Sequence, residues 1–260
     1  MGTYIEAGAQ GPGAGAALEA AFAQLERAQR LWSFQDPDSE LSRLNGAPGR
    51  AVSLSPSTLR LLRAARALMR ASAGCFDCTV GGALVQAGAL PRHAGGAFLA
   101  RGGADDIELG PHWARLTRPV LLTLDGIAKG YAVDLALRAM RASGAGRGWI
   151  NAGGDVRVYG DLALPMQRRE DDGSMTPLGA LRNAAMATSR AGAADPDFPA
   201  HIVAPVARQP AAGVWTVVAR SAWRADALTK VAATAVPAQR AALIAALGGA
   251  LVQPHKELLQ

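Results

Sequence analysis

Apolar positions along this chain change period several times, and the changes divide it into elements. After a strand over residues 1–7, Leu18, Phe22 and Leu25 recur at helical spacing and predict a helix over residues 16–31. Ser55-Pro56 supplies an N-cap serine and a first-turn proline for a helix reaching about residue 73. Leu59, Leu62 and Met69 mark its buried face, and Arg60, Arg63, Arg66 and Arg70 its solvated one. Short strands are expected at 107–109, 114–116 and 121–124, the last broken by Asp125-Gly126. Val133, Leu137 and Met140 then predict a helix over 132–140, with Arg138 and Arg141 outward, ending at Ser143-Gly144. A strand starting at Trp149-Ile150 runs into Asn151, Gly153-Gly154 and Asp155 and resumes through Val156, Val158 and Tyr159. Residues 166–176 read as an exposed hairpin tip and 214–220 as a strand. Ala225-Asp226 opens a helix, and Pro237 begins another that stops at Gly248-Gly249 before a closing strand. Hairpins with helices at intervals, and little strict β-α-β alternation, place the fold in the α+β class as one domain over residues 1–260.

With half of its 260 residues apolar, the chain can bury a full core. A net charge of +6 raises anionic partners, yet the arginines are scattered and no basic cluster is interleaved with aromatics, so no nucleic-acid partner is expected. No apolar run is long enough for a membrane span, and the N-terminus shows no export signal, which leaves the compartment open. Cys75 and Cys78 form C-x-x-C without a second pair, and the four histidines have no ligand spacing, so two small buried residues are expected rather than zinc. The lysines are Lys129, Lys230 and Lys256 in a chain that otherwise uses arginine.

The chemistry concentrates in residues 121–160. A strand, a tight turn and a helix direct backbone N–H groups at whatever lies over the helix start. Lys129 adds a cation there, against the helix dipole, which calls for an anion as partner. Gly153-Gly154 marks either a plain turn with a solvated Asp155 or a close backbone approach.

GIAKGYAVD followed by NAGGDVRV, with MGT near the start and SELSRLN, FDCTVG, ATSR, HIVAP and ADALT elsewhere, resembles the ApbE family of FAD:protein FMN transferases. The resemblance runs from Met1 to about Val231. It implies two antiparallel lobes with packed helices, related to the T-fold, and a flavin nucleotide in the cleft between them. It also implies an enzyme that moves FMN from FAD to a threonine of an acceptor flavoprotein, assisted by Mg2+. Carried over residue by residue, the FAD site would use Met1, Phe76, Asp77, Thr123, Lys129, Asp155 and Ile202, with Lys129 and Asp226 as catalytic groups. The metal would take the Gly126 carbonyl, the Asp226 carboxylate and Thr229. Several positions depart from the pattern: Gln35 where an aromatic meets adenine, Thr123 for an aspartate, Asp125 and Arg190 for glycines, Ala204 for an aspartate, and Lys230 for a metal-binding threonine. An ammonium at position 230 weakens or displaces the magnesium, unless it points to solvent. The other readings are an FAD-binding protein of this family without transferase activity, and a phosphate-ester or nucleotide-sugar enzyme using the same glycine-rich cradle.

Overall fold

The computed structural model describes residues 3–93, 96–192, 202–204 and 210–252. Its elements run β1 (Ile5–Gln10), α1 (Ala14–Trp32), α2 (Glu40–Asn45), β2 (Val52–Ser53), α3 (Pro56–Ala71), α4 (Gly81–Gln86), β3 (Ile107–Leu109) and β4 (Trp113–Leu116). The second half adds α5 (Ala128–Ala142), β5 (Arg147–Ala152), β6 (Asp155–Tyr159), β7 (Leu164–Arg169), β8 (Met175–Leu181), β9 (Ala185–Ala191), β10 (Gly213–Ala219), α6 (Ala222–Thr234), α7 (Arg240–Ala246) and β11 (Gly249–Val252).

Three sheets result: a six-stranded one in the order β1-β5-β6-β9-β10-β11, a three-stranded one in the order β2-β4-β3, and the hairpin β7-β8. Every pairing within them is antiparallel, as the α+β expectation requires, although the lobes are unequal. Helix α5 lies on β5 and β6, α6 on β9 and β10, and the two helices touch each other, so they share one face of the large sheet. Alternation in β6 sorts its side chains. Val156 and Val158 enter a small core with Leu181 and Met186, whereas Asp155 and Arg157 turn to the helix side, within ion-pair distance of α5.

Three expectations change. The buried face of α1 is Ala17, Ala21, Leu25, Ala28 and Trp32, with Phe22 40% exposed, because α1 packs closely on α5 and alanines permit that approach. Residues 121–124 belong to no sheet. Their backbone partners are instead Asn45, whose side chain donates to Leu122 O and accepts from Leu122 N (both 2.8 Å), Gly81 at the start of α4, whose N donates to Leu121 O, and the loop before it, where Cys78 O accepts from Thr123 N. The arginines of α3 do not simply face water. Arg63 donates to Gly110 O, Arg66 to Ile107 O and Arg70 to Asp105, tying the helix to β3 and its flanks.

Candidate functional site

Helices α5 and α6 are locked together by reciprocal contacts, and the site grows from that crossing. A Cβ on Gly130 would stand 2.3 Å from Ala222 O, so only glycine lets the first turn of α5 meet the first turn of α6 this closely. Asp134 of α5 then caps α6, accepting from Ala222 N and Trp223 N at 3.0 Å each, while the nominal cap Ser221 makes no side-chain bond. In return Asp226 of α6 accepts from Gly130 N (3.1 Å), one of the N–H groups that the first turn of a helix leaves without an intrahelical partner. The anion at the start of α5 is therefore a protein carboxylate. Because α6 begins at Ala222, Asp226 sits in its second turn rather than opening the helix.

The other oxygen of Asp226 accepts from Lys230 Nζ, one helical turn on. Lys230 also donates to Ser189 Oγ on β9 (3.1 Å). Lys129, in the first turn of α5, lies 3.5 Å from Asp155 Oδ2 and 3.5 Å from Gly153 O. Gly153 and Gly154 adopt positive φ (58° and 93°) and form the two-residue turn between β5 and β6, with Ala152 opposite Asp155. The glycine pair is thus a hairpin turn whose carbonyl and following carboxylate hold a lysine.

Both lysines line a cavity of about 470 Å³. Phe76, Asp77, Thr123, Gly126 and Ile202 of the expected set share its wall, together with Asp125, Ser189, Arg190 and Gln35. A second cavity of about 510 Å³, between α1 and the start of α5, shares Gln35, Asp125 and Lys129 with the first. Lys129 thus stands where two compartments meet. Met1 and His201 lie outside the described residues.

Burial pushes the Asp155 carboxyl up to about 8, with the charge of Asp226 acting the same way and Lys129 and Lys230 opposing it. Burial also acts to raise Asp226, yet Lys230 and Lys129 outweigh it and hold that group below the usual carboxylate range. For Lys129, burial acts downward and is outweighed by Asp155 and Asp226, so the ammonium persists. Asp77 and Asp125 are both raised by burial, against hydrogen bonds from Thr79 and Thr123 respectively.

The geometry bears on three of the expected roles. Asp155 is 1% exposed and does not line the cavity, and its ion-pair partner is Lys129. Thr229 is fully buried, with its hydroxyl donating to Asp226 O (2.7 Å) and paired with Ser189 Oγ (2.7 Å), so it is not free to coordinate a cation in the cavity. The third is the metal itself. The Lys230 stem passes 3.6 Å from where a Cβ on Gly126 would stand, and its ammonium rests on Asp226. That one side chain occupies the ground between the Gly126 and Asp226 ligand positions, and an ammonium there repels a divalent ion. Among the described residues, no three His, Cys, Asp or Glu side chains are placed to hold a metal. The residues present do not fit the magnesium site that the sequence pattern implies.

Sequence reading passed over Asp134 and Gly130 as individual residues, although both stand in GIAKGYAVD. Their signal was the four-residue spacing, which puts a glycine and an acid on one helix face. Cys75 and Cys78 are both free thiols, and burial pushes the Cys78 thiol far up.

Comparison with known proteins agrees with this architecture. The chain is 34% identical over 166 residues to an FAD:protein FMN transferase of Rhodobacter capsulatus, a match covering 59% of this chain but only 31% of that relative's length. The fold superposes on an ApbE protein of Thermotoga maritima with a TM-score of 0.78 at 26% identity, covering 96% of this chain and 90% of that one. It also superposes on the apo flavinyl transferase ApbE of Pseudomonas stutzeri, with a TM-score of 0.74 at 18% identity, covering 96% and 94%. The sequence profile of the ApbE family matches residues 1–252, and this chain belongs to the ApbE family.

Proposed function

We propose that this chain is an FAD:protein FMN transferase, acting on a threonine hydroxyl of an acceptor flavoprotein. The observation that carries the reading is the pair of ammoniums, Lys129 and Lys230, on the wall of one cavity, with Lys129 also bordering a second. A dinucleotide has two bulky ends and a dianionic middle. Two compartments meeting at a fixed cation suit that shape. The name of the Rhodobacter relative supports the same activity.

In the reaction the threonine oxygen bonds to the FMN-side phosphorus. The bond from that phosphorus to the bridging oxygen breaks, AMP leaves with the electron pair, and the hydroxyl proton is released. Charge accumulates on the bridging oxygen, and stabilising it is the main demand on the protein. Lys129 and Lys230 supply that stabilisation. Asp155 and Asp226 hold the two ammoniums in place before substrate arrives, so little reorganisation is needed during the step. Asp77 on the cavity wall is placed to accept from a ribose or adenine group.

Incubating the chain with FAD and a candidate acceptor flavoprotein tests the reading by intact mass of the acceptor and by AMP release. A gain equal to FMN with matching AMP is the expected result. FAD binding without any mass gain would move the chain to the second reading, an FAD-binding member without transfer, which the departure at Lys230 favours. No affinity for FAD overturns both.

A further inference from the structure

We propose that the Lys230 ammonium is the resident cation of this site, and that this chain binds the FAD diphosphate without a divalent metal. The inference rests on the FAD reading above and deepens it.

Geometry makes the lysine a substitute for an ion rather than a neighbour of one. Its stem runs beside Gly126, with Cγ and Cε both 3.6 Å from where a Cβ would stand, and its tip reaches the Asp226 carboxylate and Ser189 Oγ (3.1 Å). An ammonium has three donors. Two are engaged by Asp226 and Ser189, and the third remains for the cavity that Lys230 lines. With the side chain 20% exposed, the charge is shielded by protein yet open on the cavity side. Shielding of this kind strengthens its attraction for a phosphate oxygen relative to a surface lysine.

The mounting is also rigid. Asp226 and Lys230 are successive turns of one helix, and Asp226 is held against α5 by the Gly130 N–H and by the close Gly130–Ala222 contact. A tethered cation has no dissociation equilibrium, so the site is charged at any metal concentration. Thr229, the adjacent candidate for holding an ion, has its hydroxyl spent on Asp226 O and Ser189. Lysine stands here in a chain that otherwise favours arginine, and its ammonium is a compact point charge.

Isothermal titration of the full chain with FAD, once with magnesium and once with excess EDTA, tests the proposal. The two affinities should be indistinguishable, and magnesium alone should give no binding heat. Lys230→Thr should lose at least about tenfold in FAD affinity in EDTA, the low end for a lost charge-assisted hydrogen bond, and recover it with magnesium. Should that variant fail to fold, Lys230→Arg is expected to retain binding in EDTA because the charge remains. A parent whose FAD affinity collapses in EDTA overturns the inference and leaves the transferase reading standing, as does a folded Lys230→Thr that binds like the parent in EDTA. Absence of FAD binding in both buffers overturns the functional reading and this inference with it.

Discussion

Asp134 and Asp226 are both buried aspartates, one on each of two crossing helices, and each binds the first-turn N–H groups of the other's helix. Asp134 has both oxygens engaged by backbone, with the Arg157 guanidinium at 3.6 Å as its nearest charge. Asp226 gives one oxygen to backbone and the other to a lysine that faces a cavity. One carboxylate closes a packing joint, and the other orients a lysine toward the cavity. The same residue type, bound to the same kind of helix end, thus differs in surroundings according to what meets its second oxygen.

The sharpest way to break this contrast is Asp226→Asn, which keeps the shape and removes the charge that holds Lys230. FMN transfer should fall by roughly 10²–10³, the scale of losing one preorganised electrostatic group, measured as AMP release. Asp134→Ala should show the opposite profile. It strips two backbone N–H groups of their acceptor and leaves Arg157 without its ion pair, so urea unfolding should report a loss of about 2–4 kcal/mol, while FAD affinity of the folded fraction is retained.

Gly130→Ala probes the joint that both carboxylates depend on. Its Cβ would stand 2.3 Å from Ala222 O, so stability should drop by about 1–3 kcal/mol and FAD binding should weaken along with it. Lys129→Met leaves the joint intact and removes one cation, so titration calorimetry should show FAD binding weaker by about 1–3 kcal/mol. Equal affinity would remove Lys129 from the diphosphate site.

The smallest expected effect is a pH slope. The Asp155 carboxyl is raised from 3.8 to about 8, so the folded state holds a proton that the unfolded chain releases. That contribution is fully present below the unfolded value and is lost as pH rises through about 8. Melting temperature should therefore decline across this window, and Asp155→Asn should flatten the decline.

What the sequence reveals and what it hides follow from where each partner lies. The capping of α3 was legible because Ser55-Pro56 is a local signal, and Ser55 Oγ does accept from Thr58 N. Alternation in residues 155–159 was legible because a strand sorts its side chains locally. Lys129 stood out as a cation placed against a helix dipole. The pairing of residues 121–124 was not legible, because it depends on the Asn45 side chain 77 positions away. The face of α1 was misread because large apolar residues were given more weight than alanines, whereas close helix packing selects the alanines. The fate of Thr229 turned on Ser189 of a distant strand, and no helical spacing could disclose that.

The measurement that tests the account most directly is FAD affinity of Asp226→Asn and Asp134→Asn, titrated side by side at equal concentrations of folded protein. The account predicts that Asp134→Asn binds FAD like the parent and that Asp226→Asn binds at least about tenfold more weakly, the cost of releasing a charge-assisted contact to the diphosphate. Parent-like binding by Asp226→Asn, with binding lost in Asp134→Asn, would contradict it.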